Sequence, residues 1–179
     1  MPLPLVVRFF APVNNQTVQR LVGVLDDAPE AGVTLLLATT GGSTDAGIAA
    51  YNFIKSISIP VTIVNMGVVA SIGAVMFCAG DKRLSRPQAR FTFHPNTFNI
   101  QNQTLGIDRL EEMASQLRVE HESIASIIAA ATGKPHEEAR KLIVNYRSLS
   151  AADAHNFGLV HVVEQVSIPT GAKVLSVDG

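Results

Sequence analysis

An α/β fold built on parallel strands is what this sequence predicts, and three observations predict it. Val33-Thr-Leu-Leu-Leu-Ala38 is apolar without alternation, as a strand covered on both faces would be. Helical spacing follows each of the first strands, which is the crossover that parallel pairing requires. Two strand–turn–helix units also echo one another, with Val33-Thr34 and Val61-Thr62 opening equivalent strands.

Composition narrows the function. A chain of 179 residues is most simply one domain, able to bury a core without disulfide or metal. A formal net charge of -1 and 16% charged residues offer no polybasic face for nucleic acid. Lys82, Arg83, Arg86 and Arg90 form a local basic cluster, read as a solvated loop. The single cysteine, Cys78, lies in an apolar run; it allows no internal disulfide, implies no metal site and suits a reducing compartment. The amino-terminal Met-Pro-Leu-Pro-Leu-Val-Val-Arg lacks the basic start and long apolar segment of a secretory signal, so a cytoplasmic location is expected.

Ser56 to Gly80 carries no charge over 25 residues, and ~20 apolar residues suffice to cross a bilayer. Pro60, Asn65, Gly67, Ser71 and Gly73 interrupt it, and its composition turns from β-branched to helix-forming. A buried strand followed by a buried helix is therefore expected, and no membrane association. The triplets Asn15-Gln-Thr17 and Asn102-Gln-Thr104 match the glycosylation pattern but mean nothing without a secretory route.

In chain order, Leu5 to Phe10 reads as a strand and Asn15 to Leu25 as a helix whose Val18, Leu21, Val22 and Leu25 share one face. The strand from Val33 ends in Thr39-Thr-Gly-Gly-Ser43, and a helix runs from about Asp45 to Ser56. Ile59-Pro-Val-Thr-Ile-Val64 is the next strand, Met66-Gly-Val-Val-Ala-Ser-Ile-Gly-Ala74 a tight turn, and Val75, Met76 and Phe77 belong to a helix reaching about Ala79. Arg90-Phe-Thr-Phe-His94 alternates polar and apolar until Pro95 ends it, and Asn96 to Thr104 is polar and helix-poor.

Leu105 to Ala131 is strongly helical, with Leu110, Met113, Leu117, Ile124 and Ile128 on one stripe. At 1.5 Å per residue it spans roughly 40 Å, against a radius of gyration of about 16 Å for a compact domain of this length. Packing on another subunit is expected. Gly133 stops this helix, and Pro135 with Glu137 and Glu138 opens another to about Val144. Ser150 and Asp153 mark the capped start of a short helix closed by Gly158, before a last strand, Leu159 to Val163.

Three pieces can build an acyl-transfer site. Ser71 lies at the first turn of a helix, where free N–H groups and the dipole stabilise an oxyanion; His94 ends a strand; Gly41-Gly42 forms a turn whose backbone can donate. Each has a plain structural alternative. Ser71 can cap or pack, the glycines can simply supply positive φ, and His94 beside a proline can be structural. His121, His136, His155 and His161 compete for the role of base, with His121 expected to pack against the long helical stripe. Gly42-Ser-Thr-Asp-Ala-Gly47 lacks the Lys-Ser/Thr of a phosphate loop, and Val69-Ala-Ser-Ile-Gly73 lacks the first glycine of a hydrolase elbow.

Four segments in this order and spacing carry a resemblance: Gly41-Gly-Ser-Thr-Asp-Ala-Gly47, Met66-Gly-Val-Val-Ala-Ser-Ile-Gly-Ala74, Phe93-His94-Pro95 and Ser150-Ala-Ala-Asp-Ala-His-Asn-Phe-Gly-Leu-Val160. Together they resemble the proteolytic subunit of Clp protease, ClpP, over roughly Val6 to Val163. The resemblance implies an α/β, ClpP/crotonase-like fold of stacked β-β-α units with a long protruding handle helix. It implies one domain over residues 1–179, its head at about 1–100 and 132–179 and its handle at about 105–131. By position, Ser71 matches the family's nucleophile, His94 its general base, and Gly42 and Ile72 its oxyanion donors. The activity implied is a serine endopeptidase cutting unfolded polypeptides inside a closed homo-oligomeric chamber. Heptameric rings, two of which meet through their handles as a tetradecamer, and an ATPase chaperone that feeds them are implied too. No cofactor and no metal are.

The departures from the family are specific. An aspartate three residues before a Met-Ser-Ala or Leu-Ser-Ala step orients the family's histidine; here Leu149 is that step and Tyr146 the ungapped position. Asn145 reaches the place with a one-residue shift, and an amide orients an imidazole without offsetting its charge. Thr40 stands where a proline usually precedes the Gly-Gly pair, and Pro95 follows His94 directly. The chain begins close to its first strand, so no propeptide or axial loop is expected, which bears on docking to an ATPase. Two other readings follow: a ClpP-like structural subunit without cutting activity, and a crotonase-type acyl-CoA enzyme in which the Gly-Gly turn polarises a thioester and Ser71 is incidental.

Overall fold

The computed structural model describes residues 3–98, 100–102 and 104–178. Met1 and Pro2 of the amino-terminal segment, Asn99 and Gln103 of the polar stretch, and Gly179 lie outside the described residues. The elements are β1 (Leu5–Phe10), α1 (Asn15–Asp26), β2 (Val33–Thr39), α2 (Thr44–Ser56), β3 (Val61–Ala70), α3 (Gly73–Cys78) and β4 (Lys82–Ser85). After them come β5 (Arg90–Phe93), α4 (Ile107–Thr132), α5 (His136–Val144), β6 (Arg147–Ser150), α6 (Ala151–Phe157), β7 (Val162–Val163) and β8 (Val174–Asp178).

Local chemistry sets several boundaries. Asn14 and Thr17 close a reciprocal capping box at the start of α1, and Ser43 caps α2 by accepting from Ala46 N–H. Ser150 and Asp153 do the same for α6, which ends on Gly158 in the left-handed conformation, as the sequence predicts.

One sheet holds the molecule together, in the order β6-β5-β3-β2-β1-β8, with β4 branching from β3 and β7 pairing with β4. Every pairing is parallel except β5 with β6. Val33 stands opposite Val61 and Thr34 opposite Thr62, so the two echoing strand starts lie side by side. The apolar residues of β2 do face two cores. Leu35 and Leu37 pack with Phe9 and Ile63 into the larger one, and Leu36 joins Val6, Val64 and Leu84 in the smaller. Helices line the first; Val166 and Ala172, outside any helix, cover the second.

The structure corrects the sequence reading in four places. β3 runs on to Ala70 through what reads as a turn from Met66. It does so because it changes partner: Thr62–Asn65 pairs with β4, and Val68–Ala70 with β5. Buried Asn65 spans the switch, donating through Nδ2 to Arg90 O at 2.9 Å and accepting from Gly67 N–H at 3.0 Å. The basic cluster is not a solvated loop either. Lys82–Ser85 is strand β4, and the buried Arg83 donates to Ala131 O at 2.7 Å, Leu159 O at 2.8 Å and Gly158 O at 3.3 Å.

The expected last strand shrinks to Val162–Val163, while Leu159 and Val160 sink into the core, and β8 follows it at the far edge against β1. Finally, the long stripe is buried only towards its carboxyl end, at Ile124 and Ile128 with Ala125 between them. Its other end stands clear, with Ile107 72% exposed, Leu110 48% and Val119 64%. No helix among the described residues is long and apolar enough to cross a membrane.

Candidate active site

Ser71 stands where β3 gives way to α3. Its φ of 53° is left-handed, a conformation that only Ser71, Asn102 and Tyr146 adopt among the described non-glycine residues. The backbone holds it there from two sides. Ser71 N–H donates to Thr92 O on β5 at 2.8 Å, and Ser71 O accepts from Ala74 N–H at 3.0 Å. Gly41, at φ +86°, makes the room: a Cβ on it would lie 2.7 Å from Ser71 Cβ.

The glycine turn is clamped to the β1–α1 loop, with Val13 N–H donating to Gly41 O and Ser43 N–H to Val13 O, each at 2.8 Å. Between those two bonds the Gly42 N–H finds no acceptor among the described residues, and neither does the Ile72 N–H at the head of α3. Unpaired amides of this kind are what an oxyanion needs.

His94 leaves the end of β5 and shares a cavity of about 290 Å³ with Ser71 and Gly42. Its Nδ1 lies 2.9 Å from Pro95 O. A carbonyl can only accept, so Nδ1 carries the proton and Nε2 keeps a free lone pair. No hydrogen bond joins Ser71 Oγ to the imidazole among the described residues; such contacts commonly tighten only when substrate is bound.

The position where the resemblance expects an aspartate does lie beside this histidine. β6 pairs antiparallel with β5, setting Phe93 opposite Arg147, so the residue before β6 comes alongside His94. That residue is Tyr146, left-handed at φ 47° and stacked on the imidazole with centroids 6.5 Å apart. Asn145, the C-cap of α5, makes no hydrogen bond to His94.

Sequence reasoning missed one part of the site. Asn96 Nδ2 donates to Thr44 Oγ1 at 3.0 Å and to Glu120 Oε2 at 2.6 Å, while its backbone N–H donates to His121 Nε2 at 3.0 Å. His121 is thus an acceptor for the segment after Pro95. Only Asn96 in a polar stretch hinted at this, and nothing in the local pattern pairs it with α4.

The family model described as Clp protease matches residues 8–167. The chain belongs to the Clp protease family. This family member is similar to the ATP-dependent Clp protease proteolytic subunit of Bdellovibrio bacteriovorus, 28% identical over 155 residues that cover 85% of this chain and 73% of the relative. Among solved structures it resembles an Asn-to-Asp mutant of ClpP1 from Listeria monocytogenes, with a TM-score of 0.79 and 25% identity over 90% of this chain and 91% of that one. Its class is that of a Clp-type serine peptidase, a hydrolase, and Clp protease subunits are oligomeric and work with Clp ATPases.

Proposed function

We propose that this Clp-family chain hydrolyses unfolded polypeptides with Ser71 as nucleophile, His94 as general base, and the N–H groups of Gly42 and Ile72 as oxyanion donors. The observation that carries this reading is the His94 Nδ1–H bond to Pro95 O in the cavity shared with Ser71. It leaves Nε2 as the acceptor that a base must present.

In this scheme Ser71 Oγ attacks the peptide carbonyl carbon and its proton passes to His94 Nε2. The oxygen that takes the negative charge is received by the two free amides, each worth about 3 kcal/mol of barrier. His94 then protonates the departing amine, and water, deprotonated by the same ring, releases the acyl group from Ser71. The Pro95 carbonyl orients the imidazole, while its dipole offsets an imidazolium less than a carboxylate would. Turnover slower than that of a carboxylate-backed triad follows.

The rest of the reading concerns assembly. We read the chain as one head-and-handle domain in a cytoplasmic homo-oligomer, with α4 as the handle through which two heptameric rings meet and a Clp ATPase delivering substrate. Exposed Ile107, Leu110 and Val119 on α4 support a subunit contact there. A specific observation also favours the non-cutting structural subunit: Tyr146 replaces the carboxylate and Ser71 is not hydrogen-bonded to His94.

A fluorophosphonate probe applied to the intact assembly separates the two. Labelling that maps to Ser71 and vanishes in Ser71→Ala supports the peptidase; no labelling of either protein leaves a structural subunit. Native mass measurement reads the ring size.

A further inference from the structure

The cavity beside Ser71 has a chemical character that the catalytic roles do not use. Asp45 and Glu120 line it, no lysine or arginine does, and Phe98 and Leu117 supply apolar wall. We propose that this cavity selects substrates with a lysine or arginine at the scissile bond, its aliphatic stem along Phe98 and Leu117 and its cationic end at Asp45 and Glu120. The inference rests on the reading of Ser71 and His94 as the reacting pair.

Three features argue for it. First, both carboxylates are unneutralised: neither takes part in an ion pair among the described residues. Glu120 is held in place by neutral amides, Asn96 Nδ2 at 2.6 Å on Oε2 and Gln116 Nε2 at 3.1 Å on Oε1, and its oxygens keep spare acceptor sites. A cation there gains a preorganised partner.

Second, helix stability does not explain the pair. Asp45 sits in the first turn of α2, where a negative charge helps the helix, but Glu120 lies in the middle of α4, far from either dipole end. Third, the shape suits one long side chain. About 290 Å³ is at the small end of ligand cavities, and a lining that combines apolar side chains with carboxylates matches a residue that is itself an apolar stem with a charged tip.

The test compares peptides differing only in charge at the scissile residue, arginine against its neutral isostere citrulline, on the intact assembly. Wild-type protein should cleave the arginine peptide with kcat/KM about tenfold higher, and the ratio should fall towards one in the double variant Asp45→Asn, Glu120→Gln. The preference should also shrink with added salt.

Binding supplies a readout independent of turnover. The Ser71→Ala assembly should hold the arginine peptide more tightly than the citrulline peptide by fluorescence anisotropy. Equal affinity for both, or a preference that survives in the double variant, overturns this inference whatever Ser71 does. A missing fluorophosphonate label on Ser71 counts instead against the nucleophile assignment alone.

Discussion

The ring of Tyr146 lies over the imidazole of His94, with centroids 6.5 Å apart and planes 28° apart. Tyr146 holds the sequence position at which an orienting carboxylate is expected, and Nδ1 bonds Pro95 O instead. Tyr146 is 70% exposed and left-handed, so its ring is held by little besides that stacking. A bulky residue is costly in this backbone conformation, whereas aspartate tolerates it.

Tyr146→Asp should therefore fold without added strain and, under the proposed mechanism, bring a negative charge towards the imidazolium formed at His94. An increase in kcat/KM on a fluorogenic peptide of about tenfold or more is expected, equivalent to ~1.4 kcal/mol of barrier. An unchanged or lower rate would mean that the Pro95 carbonyl already does all the orienting the ring requires.

Ser71 stores backbone strain at φ 53°. Replacing it by glycine removes both the hydroxyl and the Cβ that makes this conformation costly, while alanine removes the hydroxyl alone. Both variants should lose peptidase activity, and Ser71→Gly should be more stable than Ser71→Ala by about 1 kcal/mol in urea unfolding. Equal stabilities would show that β5 and α3 do not hold the residue against its own preference.

How far the sequence alone reaches depends on the range of the interaction. α1 and α6 are legible because their boundaries are local events, the capping side chains of Asn14 and Ser150 and the left-handed Gly158. β2 is legible because its residues are apolar on both faces. The second half of β3 is not, since Met66 to Ala70 becomes strand only by meeting β5, with Asn65 bridging the change of partner. Arg83 looks solvated in sequence because its acceptors, Ala131, Gly158 and Leu159, are far along the chain. The site divides in the same way. Motif order points to Ser71, Gly42 and His94, which share one cavity, whereas the link from Asn96 to Glu120 and His121 exists only once α4 is folded across it.

Cys78 should be inert in the native protein. It is buried on α3, and burial pushes its thiol up to about 12 despite the nearby Arg83 charge. Thiolate is the reactive form, so iodoacetamide at pH 8 should leave the folded chain unmodified and alkylate it fully in guanidinium. The result also bears on the probe experiment, because a covalent label on native protein then cannot be assigned to the thiol. Rapid native alkylation would show that α3 opens readily, and Ser71 with it.

His161 ties acid sensitivity to the same buried arginine. Its Nδ1 accepts from the Arg83 backbone N–H at 3.2 Å, which requires that nitrogen to be unprotonated. Partial burial of the ring, and then the Arg83 charge, hold its pKa below the ordinary 6.5. The unfolded chain consequently binds a proton at His161 over a range where the folded chain refuses it, and folding is penalised there. The contribution is complete above pH 6.5 and is lost progressively as pH falls from that value through the lowered one. Asp153, held low by its hydrogen bonds to Ser150, loses its own contribution only below its ordinary 3.8 and does not enter this window. His161→Asn keeps an acceptor near Arg83 N–H without a titrating group, so its melting temperature should fall less than the wild type's between pH 7.5 and pH 5. Parallel pH profiles for the two proteins would assign the acid sensitivity to other histidines and leave the Arg83 to His161 bond without a role in it.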